Sequence, residues 1–346
     1  MQQQPSFNNQ IKQLMILILL LLLIFISLKE LYVFLPGLLG ALTLYILSRG
    51  SYFQLVYHRK WRKGWTAGMF MLGFMILLGL LIYFTVILLE KQVEPFFNNP
   101  ASSLSEAKKA IVEVQENAGI VLISDESLAD LQHRISAFVP SLVNDTFNLL
   151  FNLAILLFVF YYMLVHGKEM EAFLAKIIPL KKTNIDVLAA ETKRLVKVSA
   201  LGIPIISIIQ GITATIGYII FGVDEFVLWG FFTGVFAFFP VVGTMIIWVP
   251  LVIYMYVSGD SWNAVGLAIY SFVVTGNIDY LARITLLKKM GNVHPLVTVI
   301  GVIVGLGLFG FIGLIFGPLL VNYIILLFRI YMNEFIEHKE QETGDG

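Results

Sequence analysis

Runs of apolar residues long enough to cross a bilayer decide what this chain can fold into. About 20 residues, rising 1.5 Å each as a helix, span roughly 30 Å of hydrocarbon. Leu14 to Leu28, Leu31 to Leu47, Trp65 to Leu89 and Phe147 to Val165 are the clearest runs in the first half. Composition agrees, with 58% apolar and 13% charged residues, whereas a soluble domain carries roughly 25% charged residues. The expected fold class is all-α: a polytopic transmembrane helical protein whose first partner is the lipid bilayer.

Several function classes drop out. The chain has 23 basic and 23 acidic residues and no net charge, so no nucleic-acid partner is expected. It has no cysteine, which removes disulfides and thiolate metal sites. His58, His133, His166, His294 and His338 are scattered without zinc-site spacing, so no metal and no cofactor is expected. Phosphate-loop, zincin and nucleophile-elbow motifs are missing, so the chain reads as no enzyme.

Charge sets the expected orientation. Lys12 before the first run suggests a signal peptide, but no small-residue cleavage site follows Ser27 and the apolar run resumes at Leu31. A helical hairpin turning at Lys29-Glu30, with a cytoplasmic N-terminus, is the better reading. After the second run come Arg49 and the loop His58-Arg59-Lys60-Trp61-Arg62-Lys63, with Tyr57, Trp61 and Trp65 as interfacial anchors. Such a loop stays inside. The third run exits at Glu90 into a segment to Asp145 where acids outnumber Lys91, Lys108, Lys109 and Arg134. Ser103-x-x-Glu106 reads as a capping box, and Leu128, Leu131, Ile135 and Phe138 as a helical stripe, so two short outer helices are expected there. The fourth run returns to a basic region holding Lys168, Lys176, Lys181, Lys182, Lys193, Arg194 and Lys197. Between Pro179 and Ala200, Ile185, Leu188, Leu195 and Val196 share a helical face. That pattern suits a helix on the cytoplasmic leaflet or one packed on protein.

The second half is more specific. Gly202 to Phe221 makes a fifth span ending outside at Asp224-Glu225. Phe226 to Val257 would be about 48 Å long as one helix, and Pro240-Val241-Val242-Gly243 interrupts it. Arms of about 21 Å on each side cannot cross alone, which predicts a re-entrant hairpin entering from outside. Trp262 to Ala282 then delivers Arg283, Lys288 and Lys289 to the cytoplasm, as the positive-inside rule requires. Pro295 to Phe328 repeats the pattern around Gly310-Phe311-Ile312-Gly313, a second hairpin entering from inside and leaving the C-terminus cytoplasmic. Phe239-Pro240-Val241-Val242-Gly243 with Pro250-Leu251-Val252 matches Phe309-Gly310-Phe311-Ile312-Gly313 with Pro318-Leu319-Leu320. These are candidate inverted repeats, which place transporter sites near the midplane. The hairpin breaks are assigned to Pro240, Gly243, Gly310, Gly313 and Pro318.

The expected organisation is residues 1–92 as a spanning scaffold, 93–145 as an extracytoplasmic helical segment, and 146–200 as the fourth span with a cytoplasmic amphipathic linker. Residues 201–332 form the core with both hairpins, and 333–346 a cytoplasmic tail. Gly301-x-x-x-Gly305 and Gly313-x-x-x-Gly317 allow close helix contact within the chain or between copies, and a homo-oligomer is expected. Candidate binding residues are Gln210, Thr213, Asn277, Asp279 and Arg283. An acid in an apolar segment is a functional candidate by default. Asp279 can take a proton or a cation, with neutral oxygens on Gln210 and Asn277, or can pair with Arg283 one turn on as an interfacial ion pair. Thr213 and Asn322 are of the type that more often satisfies local backbone.

These residues resemble the autoinducer-2 exporter family of bacterial membrane permeases over nearly the whole chain. Phe239-Pro240-Val241-Val242-Gly243 is similar to the family's Pro-x-x-Gly break, and Ile278-Asp279-Tyr280-Leu281 falls where the family has an Asp-Asn pair followed after an Arg by Pro. This chain departs from that pattern at Tyr280 and Ile284. His294-Pro295-Leu296-Val297, Leu308-Phe309-Gly310-Phe311-Ile312-Gly313 and Gly317-Pro318-Leu319 resemble the family's ending. The resemblance implies an inner-membrane secondary transporter that exports a small polar solute, autoinducer-2 in some members, or exchanges sodium or lithium for protons in others. The rival from another class is a non-transporting membrane anchor whose outer segment, Val93 to Asp145, binds a partner.

Overall fold

Apolar runs with few breakers propagate as helix, and the described residues are helical with no strand among them. The computed structural model describes residues 7–98, 112, 125–178, 180–239, 242–289, 295–310 and 313–332. In chain order the helices are α1 (Phe7–Leu31), α2 (Leu35–Phe53), α3 (Lys63–Asn98), α4 (Asp125–Ile177), α5 (Lys182–Ile220), α6 (Phe226–Phe236), α7 (Met245–Val257), α8 (Ser261–Tyr270), α9 (Gly276–Lys289), α10 (Pro295–Phe309) and α11 (Gly313–Tyr331). Among the described residues, six helical stretches are long and apolar enough to cross a membrane: Lys12–His58, Lys63–Glu90, Phe147–Ile177, Lys182–Ile220, Ser261–Ala282 and Gly313–Tyr331. The chain is an all-α, multi-span protein.

Its helices run farther than the sequence boundaries suggest. The expected reversal at Lys29-Glu30 is not there: α1 passes into α2 through a single 3-10 turn, Tyr32–Phe34, with right-handed helical dihedrals at Leu31, Phe34 and Leu35. No glycine or proline stands between Lys29 and Leu35, and Pro36 sits in the first turn of α2, where its missing N–H costs nothing. The boundary at 145/146 falls inside α4, one helix of 53 residues. The boundary at 200/201 likewise falls inside α5, of 39 residues. The capping box at Ser103 and Glu106 lies outside the described residues, as do the side chains of the stripe from Leu128 to Phe138.

Contacts fix how the helices run against one another. The Gly37 N–H donates to Asn152 Oδ1 at 3.1 Å, Tyr45 lies against Gly167, and Arg49 pairs with Glu171. Positions rise together along α2 and α4, so these helices are parallel, as expected of the first and third of the candidate spans in an alternating chain. Ala41, Tyr45 and Tyr52 of α2 form a core with Ala67 of α3 and Phe160, Met163 and Leu164 of α4. Leu195 and Val196 of α5 are buried against Phe316 and Leu319 of α11, with Leu39, Leu42 and Ile46 of α2 alongside. Protein, not a leaflet, covers this part of the amphipathic face of 182–200.

Both expected interruptions occur. Helix stops after Phe236 and restarts at Met245, and stops after Phe309 and restarts at Gly313. Gly310 takes φ +60°, the left-handed conformation that ends helices and that glycine adopts without a Cβ penalty. Gly243 is pressed against the carbonyl oxygens of Phe236 and Phe239, while Pro240 lies outside the described residues. Pro318 is not a break: it is the sixth residue of α11, as Pro250 is of α7. At that position proline gives up one backbone bond, and the helix runs on past it in both cases.

The two interrupted stretches pack differently. Gly301 meets Gly317 and Pro318, and Gly305 meets Gly313 and Gly317, backbone on backbone, so α10 and α11 form a tight antiparallel pair. Those glycines are spent within the chain. In the first stretch α6 lies antiparallel on α5, Gly230 and Gly234 against Gly211. Val223, just before α6, shares a buried cluster with Leu251 and Met255 near the end of α7 and with Ala264 and Leu267 of α8. The two ends of Phe226–Val257 therefore lie at the same end of the bundle.

Candidate functional site

A polar seam runs between α5 and the rod formed by α8, a π-helical turn at Ser271–Thr275, and α9. Ser207, Gln210, Ala214, Gly217 and Tyr218 are spaced three or four apart and are all buried, so one face of α5 is turned into protein. Gly217 lies flush on the Tyr270 ring, and the Tyr270 hydroxyl donates to the Thr213 carbonyl at 3.0 Å. Those contacts set an antiparallel register. Two turns back along α5 from Gly217 stands Gln210, and five and seven residues on along the rod from Tyr270 stand Thr275 and Asn277.

Gln210 is fully buried at 0% exposure, and Ser207 and Thr275 are at 5% and 1%. Ser207 Oγ and Thr275 Oγ1 have no hydrogen-bond partner among the described residues. A buried hydroxyl left in that condition costs about 1–3 kcal/mol, and helical Ser and Thr ordinarily avoid the cost by bonding the carbonyl one turn back. Thr213, Thr215, Thr233 and Thr285 do so, each at 2.8 Å, to Ile209 O, Gly211 O, Trp229 O and Leu281 O. Ser207 and Thr275 are therefore oriented away from their own backbone. The π-helical turn contributes, because one wide turn shifts side chains out of register, a feature that recurs at functional sites.

The expected site residues divide. Gln210 is central. Thr213 joins through its carbonyl, its hydroxyl being donated to Ile209. Asn277 is exposed and gives its amide to Val273 O at 2.5 Å, so it is not brought to Gln210. Asp279 and Arg283 lie on α9, and their side chains are outside the described residues. Of the breaks, Gly243, Gly310 and Gly313 stand at helix interruptions rather than in the seam. Asn322 bonds Pro318 O at 2.9 Å within its own helix, the local role expected of it. Ser207 and Thr275 were passed over by the sequence reading. The only signal was a pair of small hydroxyls, Ser207 three before Gln210 and Thr275 two before Asn277, in otherwise apolar spans. Among the described residues no group of three His, Asp or Glu side chains could hold a metal ion.

A second polar cluster ties α2 to α4. Glu171 takes both Arg49 nitrogens, Nε on Oε1 and Nη2 on Oε2 at 2.6 Å, and accepts from the Tyr45 hydroxyl at 2.7 Å. The two charged side chains are 35% and 34% exposed, between a surface pair worth under about 1 kcal/mol and a buried pair whose rupture costs about 3–5 kcal/mol. Glu171→Gln is expected to lower stability by about 1–2 kcal/mol. In a thermal-unfolding cycle with Arg49→Gln, the double variant should be no less stable than the worse single one. Fully additive losses would mean the pair is not coupled.

A family model described as AI-2E family transporter matches residues 14–333. Among curated relatives, a "Putative transport protein" of Helicobacter pylori (strain J99) is 29% identical over 218 residues, 60% of this chain and 60% of its own. A "Putative transport protein" of Aquifex aeolicus is 27% identical over 188 residues, 54% of this chain and 53% of its own. A further one from Bacillus subtilis, YtvI, is 26% identical over 238 residues, 68% of this chain and 61% of its own. The chain thus spans between about half and three fifths of the length of these relatives. Because the family match runs through the helix interruptions, the polar seam and both glycine-paired helices alike, the chain belongs to the AI-2E transporter family.

Proposed function

We propose that the chain is a secondary transporter of the bacterial inner membrane that exports a small polar solute by alternating access, with autoinducer-2 the first candidate. Both interrupted stretches act in this reading as re-entrant hairpins of an inverted repeat, moving against the scaffold of α2, α3 and α4, in a homo-oligomer with a cytoplasmic C-terminus. The observation that carries it is the seam: Gln210 at 0% exposure, beside buried Ser207 and Thr275 hydroxyls with hydrogen-bonding capacity to spare. A neutral polyol or furanone is recognised by such uncharged donors and acceptors, whereas apolar packing alone gains nothing from them. Family membership supports transport as the activity, and autoinducer-2 enters through the family description.

The antiporter reading keeps one specific support: Asp279, an acid in an apolar span, stands in α9 four residues after Thr275. One preparation separates the two. Purified protein in liposomes loaded with a pH-sensitive dye is given a proton gradient and then external sodium or lithium, and parallel vesicles loaded with autoinducer-2 are followed for efflux. The expected result is solute efflux that survives Asp279→Asn and no cation-dependent change in the dye signal. Cation-dependent dissipation that Asp279→Asn abolishes would replace the exporter by the antiporter. Silence in both assays from folded protein would remove these substrates.

A further inference from the structure

At the end of α2 that carries the basic loop, Gly50, Phe53, Gln54, Tyr57 and His58 face Lys168 of α4 across a groove of about 640 Å³. We infer that this groove holds the phosphate headgroup of an anionic phospholipid. The inference does not rest on the transport reading.

Four observations converge. The groove is open at its floor: a Cβ added at Gly50 would meet nothing within 4 Å. Its volume is within the range of small-ligand sites, about 300–1,000 Å³. Its charge is positive, since Lys168 lines it and Arg59, Lys60, Arg62 and Lys63 follow in the adjoining loop. The acids that follow Lys168 on α4 are engaged elsewhere, Glu171 by Arg49 and Tyr45, and Glu169 by His166 at 2.9 Å.

Aromatic rings orient the cations. Lys168 Nζ stands 3.4 Å from the Tyr57 ring centroid, and the Arg49 guanidinium 4.8 Å from that of Phe53. Such cation–π contacts hold an ammonium without neutralising it. Depth also fits. Tyr57, Trp61 and Trp65 are exposed at 41%, 46% and 79%, as expected of rings at the headgroup level. The loop is held in place: Lys60 takes the left-handed φ of +57°, and Arg59 and Trp61 N–H groups bond back to Gln54 and Leu55 carbonyls. A non-glycine residue in that conformation costs about 1–2 kcal/mol, and such strain gathers at ligand sites. Basic pockets between helices at a membrane face bind anionic headgroups for these reasons.

The test is native mass spectrometry of the full chain in detergent with added phosphatidylglycerol or phosphatidylcholine. Phosphatidylglycerol is expected to stay bound and phosphatidylcholine to leave. Gly50→Leu adds bulk at the groove without changing charge, its Cβ meeting nothing within 4 Å, and it should weaken phosphatidylglycerol retention at least about fivefold, as much as losing one basic contact to an anionic surface. Lys168→Gln should do the same, and Lys168→Arg should restore it. Thermal unfolding of each variant verifies that it is folded. Equal retention of phosphatidylcholine, or undiminished phosphatidylglycerol in folded Gly50→Leu, would overturn the assignment. Displacement by millimolar inorganic phosphate would also overturn it, identifying a site for soluble phosphate instead.

Discussion

Gly305→Val is expected to lose a large part of the protein's stability, whereas Gly307→Val, half a turn away on the same helix, is expected to be accepted. At Gly305 an added Cβ would run into the Gly313 carbonyl and the Gly317 Cα, which are backbone atoms and cannot rotate aside. Relief requires α10 and α11 to separate, and their interface is built by glycine on both sides: Gly301 and Gly305 against Gly313, Gly317 and Pro318. In hydrocarbon, helix pairs are held by this close approach, because lipid supplies no hydrophobic drive to association. Overpacking a core commonly costs about 1–3 kcal/mol, and a backbone-on-backbone clash belongs at the top of that range or above it. A domain has roughly 5–15 kcal/mol in total. At Gly307 a Cβ meets nothing within 4 Å, and exchanging glycine for valine in a helix gains a few tenths of a kcal/mol. Size-exclusion profiles and thermal unfolding in detergent decide between them. If Gly305→Val elutes and melts like the parent chain, the tight pair is not a structural requirement.

That contrast also shows what a sequence can and cannot disclose. Both glycines sit in the same apolar run, and only the partner helix distinguishes them. Spacing named Gly301 and Gly305 as close-contact residues but left open whether the contact lay within the chain or between copies. The helix interruptions near Gly243 and Gly310 were legible because they follow from local chemistry, length against bilayer thickness and residues that favour a break. Pro318 was misread for a related reason: proline weakens a helix locally without having to end it, and α11 runs on past it for another 13 residues. The reversal at Lys29-Glu30 was inferred from two charges, and charges do not stop a helix when no glycine or proline accompanies them. The same holds for α4 and α5, whose helices run on through the polar residues taken as boundaries.

The site was legible in its centre only. A glutamine in an apolar span is expensive enough to be noticed, so Gln210 was identified. Serine and threonine are cheap in helices because they bond their own backbone, so Ser207 and Thr275 carried no visible signal until the structure showed their hydroxyls turned elsewhere. The Arg49–Glu171 pair is similar. Each charge was in view, at the ends of the second and fourth spans, but the match between them depends on α2 and α4 lying side by side and parallel.

Gln210→Leu is expected to abolish most transport while leaving the fold intact, and the contrast between those two readouts is what separates a binding side chain from a packing one. Leucine fills a similar volume, and leaving the partner of Gln210 unmatched costs about 1–3 kcal/mol, a loss that a domain with roughly 5–15 kcal/mol survives. A side chain that only packs between α5 and the α8–α9 rod would therefore tolerate the change in both assays. A side chain that bonds solute in the transition between conformations would lose about 10- to 100-fold in rate, the equivalent of the roughly 1–3 kcal/mol that one unmade buried hydrogen bond costs. Asn322→Leu is the matching control: Asn322 is buried at 9% but gives its amide to Pro318 in its own helix, so transport should be unaffected. Ser207→Ala combined with Thr275→Val extends the argument, because it removes two hydroxyls that have no partner among the described residues. That double variant should melt no lower than the parent and yet carry solute more slowly. Stability gained with transport unchanged would place the seam in the packing of the bundle, and the binding site would have to be sought along α9, beginning with Asp279.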